Sequence, residues 1–329
     1  MLEHGGRLRA AASKYQIPLT DWLDLSTGIA PYGWPIPDIP ASAWNRLPEE
    51  ADGLEAAAQA YYGAQFVLPV AGSQAAIQAL PRLRRSARVG IISPCYAEHG
   101  QAWRREGHQL IELCEAQVPD ALARIQTLVV VNPNNPTGRL IEPQRLLEWH
   151  AQLAARGGWL VVDEAFIDCT PLNSLARHSH LPGLIVLRSV GKFFGLAGAR
   201  LGFVLAHEEL LRSLAQWLGP WSIGGPTRMV GRQLLVDDEG HQRQRSRLNA
   251  DGERLAALLN RHEFPPVGGC ALFQTISDAA AAPLHEHLAH AGILTRLFSP
   301  NGMRFGLPGH EAAWLRLEHA LQRYWEQQP

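Results

Sequence analysis

Five short stretches, Val89–Pro94, Thr127–Asn132, Trp159–Phe166, Gly183–Val190 and Arg200–Ala206, are rich in β-branched residues, most of them apolar throughout, and are bounded by turn residues. A strand with one wet face alternates apolar and polar side chains; a strand covered on both faces does not have to. These stretches therefore read as strands buried on both sides. Between them, Gln74–Arg85, Ala97–Glu106 and Pro143–Arg156 have helical spacing. Strands alternating with helices imply right-handed crossovers and a mainly parallel α/β sheet with helices on both faces. The link from Val190 to Arg200 is too short for a helical crossover, so the last strand is expected to run antiparallel.

Beyond about residue 207 the texture changes to long helical stretches, Glu208–Leu218 and Thr227–Asn260, followed by Pro265-Pro266-Val267-Gly268-Gly269. Strands Ala271–Ile276, Ile293–Leu297 and Met303–Leu307 and a helix from Glu311 to Trp325 would complete a smaller α+β domain. The expected division is an N-terminal segment, 1–33, lying on the small domain or the active site, a large domain, 34–215, and a small domain, 216–329. The 30 basic and 31 acidic side chains give a formal charge of −1, which offers no footprint for nucleic acid or an anionic membrane. The four cysteines are far apart and form no Cys-x-x-Cys pair, so neither zinc nor a disulfide framework is signalled. His285 and His287 would point to different faces of a helix, and no metal site is expected there. No leader-like start and no apolar run of membrane-spanning length occur, so a cytoplasmic location is expected.

Three motifs carry chemistry. Ser189-Val190-Gly191-Lys192 leaves a strand at the carboxyl edge, where open α/β sheets bind ligands, and Arg200 follows eight residues after the lysine. Asp163 ends the apolar run Trp159-Leu160-Val161-Val162, so its carboxylate emerges from a buried strand and needs a positive partner or several donors. Asn132-Pro133-Asn134-Asn135-Pro136-Thr137-Gly138 follows another buried strand with turn chemistry. A P-loop is excluded, because Phe193 follows Lys192 and no glycine stands five positions before Gly191. No Gly-x-Ser-x-Gly elbow occurs. Asp163 and Glu164 are adjacent on a strand and face opposite ways, so they form no glycosidase pair.

In this order the three motifs resemble those of the pyridoxal-phosphate enzymes of the aspartate aminotransferase fold, and the resemblance runs on through Met303-Arg304-Phe305-Gly306. It implies a large domain with a seven-stranded, mainly parallel sheet, a small C-terminal domain, pyridoxal 5'-phosphate as cofactor and a homodimer. It also implies residue roles. Lys192 matches the lysine that binds the cofactor aldehyde and later moves a proton. Asp163 matches the partner of the pyridine nitrogen, Asn135 the donor to the ring oxygen and Tyr96 the aromatic residue stacked on the ring. Gly72, Ser73 and Gln74, at a helix start, match the phosphate cradle, completed by Ser189 and Arg200. Arg304 matches the arginine that takes a substrate anion. Phe166 and Leu47 stand where many relatives carry tyrosines, the first a donor to the ring oxygen, the second reaching the partner subunit's cofactor.

His4-Gly5-Gly6, Leu25-Ser26-Thr27-Gly28 and Asp163-Glu164-Ala165-Phe166-Ile167-Asp168 are similar to one branch of that family, the threonine-phosphate decarboxylases of cobalamin synthesis. The implied reaction converts O-phospho-L-threonine to (R)-1-amino-2-propanol phosphate and carbon dioxide. His4, Gly28, Arg296 and Arg304 are the residues expected to hold this small phosphorylated substrate, with no assignment of carboxylate and phosphate between the arginines. A histidinol-phosphate or other amino-acid aminotransferase is the alternative, and a non-catalytic effector module with this fold a remote one.

Overall fold

In the computed structural model, which describes residues 4–298 and 301–326, all five apolar runs form strands, and they are neighbours in one sheet. The chain divides into two units. The small one is assembled from the chain up to Gly33, Pro136–Arg139 and the chain from Gln244 onward; the large one from Trp34–Asn135 and Leu140–Arg243. The first strand, β1 (Leu23–Asp24), belongs to the small unit. The large unit holds β2 (Val67–Val70), β3 (Arg88–Ile92), β4 (Gln109–Leu113), β5 (Thr127–Val131), β6 (Trp159–Asp163), β7 (Leu184–Ser189) and β8 (Gly202–Ala206) in the order β2-β8-β7-β6-β5-β3-β4. Only β8 runs against the others.

Both faces of the sheet are buried. Val129, Val161, Ile185 and Leu187 pack with Ile77, Trp103 and Leu214, while the alternate residues Leu128, Val130, Leu160, Val162 and Val186 are also shut off from solvent. Each such side chain contributes about 1.5–3 kcal/mol of burial free energy. This is why the strands could dispense with alternation. The two edge strands, β2 and β4, were not among the expected runs. Pro69 in β2 lacks an N–H, which is tolerated because β2 bonds only to β8. In β4, Gln109 and Glu112 are exposed, so the strand looks polar.

The single helical stretch expected over Thr227–Asn260 is instead two helices, Gly225–Leu235 and Asp238–Arg261. Asp237 breaks it by accepting the backbone N–H of Gly240 (2.9 Å) as a helix cap. The first of these helices clusters with the large unit, where Arg228 pairs with Asp52 (2.7 Å) and Glu55 (2.8 Å). The division of the chain thus falls after Arg243, against the 215/216 break expected from the change in texture.

The small unit contains β9 (Gly268–Cys270), β10 (Phe273–Ser277), β11 (Ile293–Leu294), β12 (Arg296–Phe298) and β13 (Gly302–Gly306). Four of them form an antiparallel sheet in the order β12-β13-β10-β9, and β1 pairs with β11 in parallel. Thr295 separates β11 from β12 where one strand was expected. The N-terminal stretch is held by this unit: Leu25 donates to the carbonyl of Leu294 and accepts from Gly306, each at 2.7 Å. Helix Glu311–Glu326 closes the unit. Among the described residues no helix is long and apolar enough to cross a membrane.

Candidate active site

Parallel strands bring their carboxyl ends to one edge, and the large unit's candidate residues stand there. Val131, Asp163 and Leu187 are register partners across β5, β6 and β7, so Asn134 and Asn135, Asp163, and Ser189 with Lys192 leave adjacent strands at the same edge. Gly72 follows β2 at that edge and precedes the helix Ser73–Ala79. Its φ of 72° is reached freely only by glycine. A Cβ on Gly72 would lie 2.6 Å from Nη2 of Arg200, and one on Gly202 would lie 2.5 Å from the backbone nitrogen of Ser73. Missing side chains thus let a guanidinium and a free helix N–H draw together, with Ser189 the register partner of Gly202. Arg200 itself has φ 52°, uncommon outside glycine. A guanidinium beside a helix N-terminus is an arrangement that could hold an anion.

Asp163 is buried and held on both oxygens. Oδ1 accepts from the backbone of Ala165 (3.1 Å), and Oδ2 meets Nε2 of His99 at 2.8 Å. His99 supplies the polar partner that a carboxylate at the end of an apolar strand requires. The ring of Tyr96 stands edge-on to His99, its centroid 6.2 Å away, and the Tyr96 hydroxyl donates to Gln74 Oε1 (3.2 Å). Gln74 in turn donates to Glu98 (2.9 Å). Burial, reinforced by Glu98 and Asp163 and opposed by Arg200, pushes the Tyr96 phenol up to about 12. Tyr96 is therefore neutral at physiological pH. Lys192 lies in the short helix Val190–Phe193 with Nζ 5.7 Å from the centroid of Phe166. Asn134 donates to the carbonyl of Pro94 (2.9 Å), tying the asparagine turn to the loop that carries Tyr96.

Beneath these residues lies a buried ion triad. Arg188, next to Ser189, donates to Asp168 (2.6 Å) and Glu164 (3.1 Å). Its guanidinium carbon lies 4.6 Å from the ring centroid of Tyr62. Burial opposes the charge of Arg188, but Asp168 and Glu164 outweigh it and hold its pKa above the ordinary value. Burial raises the Glu164 carboxyl against the pull of Arg188, Ser174 and Leu175. Glu164 also accepts from the Leu175 backbone (2.7 Å), and Tyr61 donates to Asp168 (2.9 Å). The segment after Asp163 is thereby fixed to β7.

In the small unit Arg296 and Arg304 are direct register partners across β12 and β13. Like charges placed so are unfavourable. Both guanidinium groups lie against the ring of Phe298, 5.3 and 5.9 Å from its centroid. Arg304 is buried and donates to the carbonyl of Ser26 (2.9 Å). Burial, with Arg296 adding and Cys270 and Asp24 opposing, lowers its pKa to about 10. Ser26 accepts from the backbone of Gly6 (2.7 Å) and donates to Asp24 (2.6 Å). His4 and Arg296 border one cavity, and Gly28 is buried just beyond Ser26.

His99, Arg188 and the Asp24–Ser26 pair escaped sequence reasoning as site residues. Their partners are 64, 20–24 and 278 positions away, so spacing gave no signal. The one clue to Arg188 is an arginine as the penultimate residue of an otherwise apolar buried strand, which calls for a counter-charge.

The model of the family "Aminotransferase class I and II" matches residues 45–321, most of the chain. The chain belongs to the aminotransferase class I and II family. Within that family it is 62% identical to the threonine-phosphate decarboxylase of Pseudomonas aeruginosa over 98% of this chain and 97% of that protein. It is 44% identical to the threonine-phosphate decarboxylase of a Sinorhizobium species, covering 97% of each. Among solved structures, the histidinol-phosphate aminotransferase from Sinorhizobium meliloti in complex with pyridoxal-5'-phosphate superposes with a TM-score of 0.83 at 17% identity, over 98% of this chain and 95% of that one. That likeness concerns the fold.

Pyridoxal phosphate, the cofactor implied by the sequence motifs, requires an anion site, a carboxylate for its ring nitrogen and an amine for its aldehyde. The residues present fit it. The close approach of Arg200 and the Ser73 N–H depends on Gly72 and Gly202 lacking a Cβ, and Asp163 is held by His99 and the Ala165 N–H.

Proposed function

We propose that this chain is a pyridoxal-phosphate-dependent decarboxylase that converts O-phospho-L-threonine to (R)-1-amino-2-propanol phosphate and carbon dioxide, acting as a cytoplasmic homodimer in cobalamin synthesis. The observation that carries this reading is the near-full-length identity to threonine-phosphate decarboxylases. The paired arginines Arg296 and Arg304 support a substrate with two anionic groups.

When bound, pyridoxal phosphate supplies an aldehyde carbon that joins to amines and a protonated ring that accepts electrons from a bond breaking at the substrate α-carbon. Gly72, Ser73, Ser189 and Arg200 would hold its phosphate, and Tyr96 would cover its ring. Asn135 would donate to the ring oxygen, with Phe166 contributing apolar surface. Asp163 would keep the proton on the ring nitrogen, with His99 holding Asp163 in place. Lys192 would hold the aldehyde carbon, and its Nζ would carry the proton that replaces the departing carboxylate on the substrate α-carbon, one carbon dioxide leaving and one proton entering. Arg296 and His4, which share a cavity, take the substrate phosphate, and the buried fork of Arg304 takes the carboxylate beside the Gly28 backbone.

The test is product identification after incubating the loaded protein with O-phospho-L-threonine, with and without 2-oxoglutarate. Aminopropanol phosphate formed equally in both is the expected result. Glutamate formed only when the keto acid is present would establish the aminotransferase alternative instead.

A further inference from the structure

Within the small unit a cavity of about 410 Å³ is bordered by His4, Arg7, Ser26, His285, Thr295 and Arg296. This is the size range of small-molecule sites. His285, in helix Ala281–His290, is half-buried. Its Nδ1 lies 2.7 Å from Oγ1 of Thr295, and the Thr295 hydroxyl directs its single proton to Sδ of Met303 (3.1 Å). With that proton on the thioether, which can only accept, the hydroxyl accepts from Nδ1–H. Nε2 is left as the nitrogen open to a bound molecule, and among the described residues it has no hydrogen-bond partner.

We infer that His285, through Nε2, binds the phosphate of the substrate beside Arg296 and His4; the inference rests on the phospho-amino-acid reading above. Thr295 is buried, so the Nδ1–H bond fixes the ring orientation, as a second partner commonly does for a working histidine. The charged and titratable groups around the imidazole are Glu286 on its own helix, Lys14 on the N-terminal helix Leu8–Tyr15, Arg296 on β12, and His4 and Arg7 on the cavity they share. Burial, opposed by Glu286 and reinforced by Lys14 and Arg296, keeps the ring below its ordinary pKa. A phosphate monoester loses its second proton near pH ~6. On this inference, the bound state includes one proton shared between Nε2 and a phosphate oxygen. In the free partners it is absent by pH 8, so binding takes up a proton and weakens as pH rises.

The structural role of the Thr295 bond can be separated from this one. His285→Asn places an amide N–H where Nδ1–H stands and nothing where Nε2 stands; His285→Gln reaches the Nε2 position but cannot titrate. In the cofactor-loaded enzyme, His285→Asn is expected to raise KM for O-phospho-L-threonine about tenfold with kcat within about twofold, and His285→Gln to recover part of the loss. Calorimetric titration of the loaded proteins with inorganic phosphate at pH 6 to 8 reads binding without turnover. Wild-type affinity should fall more steeply across that range than that of either variant, which carries only the probe's own ionisation. Equal KM, phosphate affinity and pH slope in wild type and His285→Asn overturn the inference and leave the decarboxylase reading intact. If the wild type releases no carbon dioxide from O-phospho-L-threonine, yet binds phosphate in a His285-dependent, pH-dependent way, the decarboxylase reading fails and the phosphate site stands.

Discussion

In the large unit Asp163, Ser189 and Asn135 follow three neighbouring strands at one edge of the sheet, whereas in the small unit Arg296 and Arg304 face each other only through antiparallel register and are tied to residues near the N-terminus. A parallel sheet gathers chemistry automatically, because every strand ends on the same side. An antiparallel sheet built from distant stretches places chemistry residue by residue, through pairing that local sequence does not encode. The first arrangement suits a rigid cofactor common to many enzymes. The second can be altered to fit one substrate without disturbing the first.

That contrast can be broken by single substitutions. Variants in the large unit should affect kcat and the spectrum of the loaded enzyme; variants in the small unit should act mainly through KM. Lys192→Ala is expected to lower carbon dioxide release by on the order of 10⁴-fold or more and to remove the visible absorbance of the lysine-bound cofactor. Turnover near wild type would remove Lys192 from the chemistry. Next, Asp163→Asn should lower kcat by about 10²–10³-fold, the scale of losing one pre-organised electrostatic group; a change confined to KM would contradict its place beside the ring. Arg304→Ala should reduce kcat/KM by roughly 30-fold to 1000-fold, as when a buried charge loses its counter-ion. If it instead abolished the absorbance band, the division between the units would fail. His99→Asn is expected to cost about tenfold in kcat with KM unchanged, since it removes one hydrogen bond to a charged carboxylate. Smallest is Arg296→Ala, for which a rise in KM of about fivefold and an unaltered spectrum are expected, measured by steady-state kinetics.

The sheet was legible because physical chemistry left few alternatives for it. Runs such as Leu128–Val131 and Leu184–Leu187 can be satisfied only by burial on both faces. The short Val190–Arg200 link likewise required β8 to turn back. Asp163 could be read as needing a partner, but not that the partner would be His99, since a contact 64 residues away has no local signature. The edge strand β2 was hidden by Pro69, and β4 by its exposed Gln109 and Glu112. In the small unit, Arg296 and Arg304 fall in consecutive expected strands, and their register makes them direct partners. Ser26 remained invisible as a site residue because it meets Arg304 through a tertiary hydrogen bond.

The most direct measurement is carbon dioxide release from O-phospho-L-threonine by the purified, pyridoxal-phosphate-loaded protein with no keto acid present. Sustained release over many turnovers is expected. Release that stops after one equivalent per site, or begins only when a keto acid is added, would contradict the account.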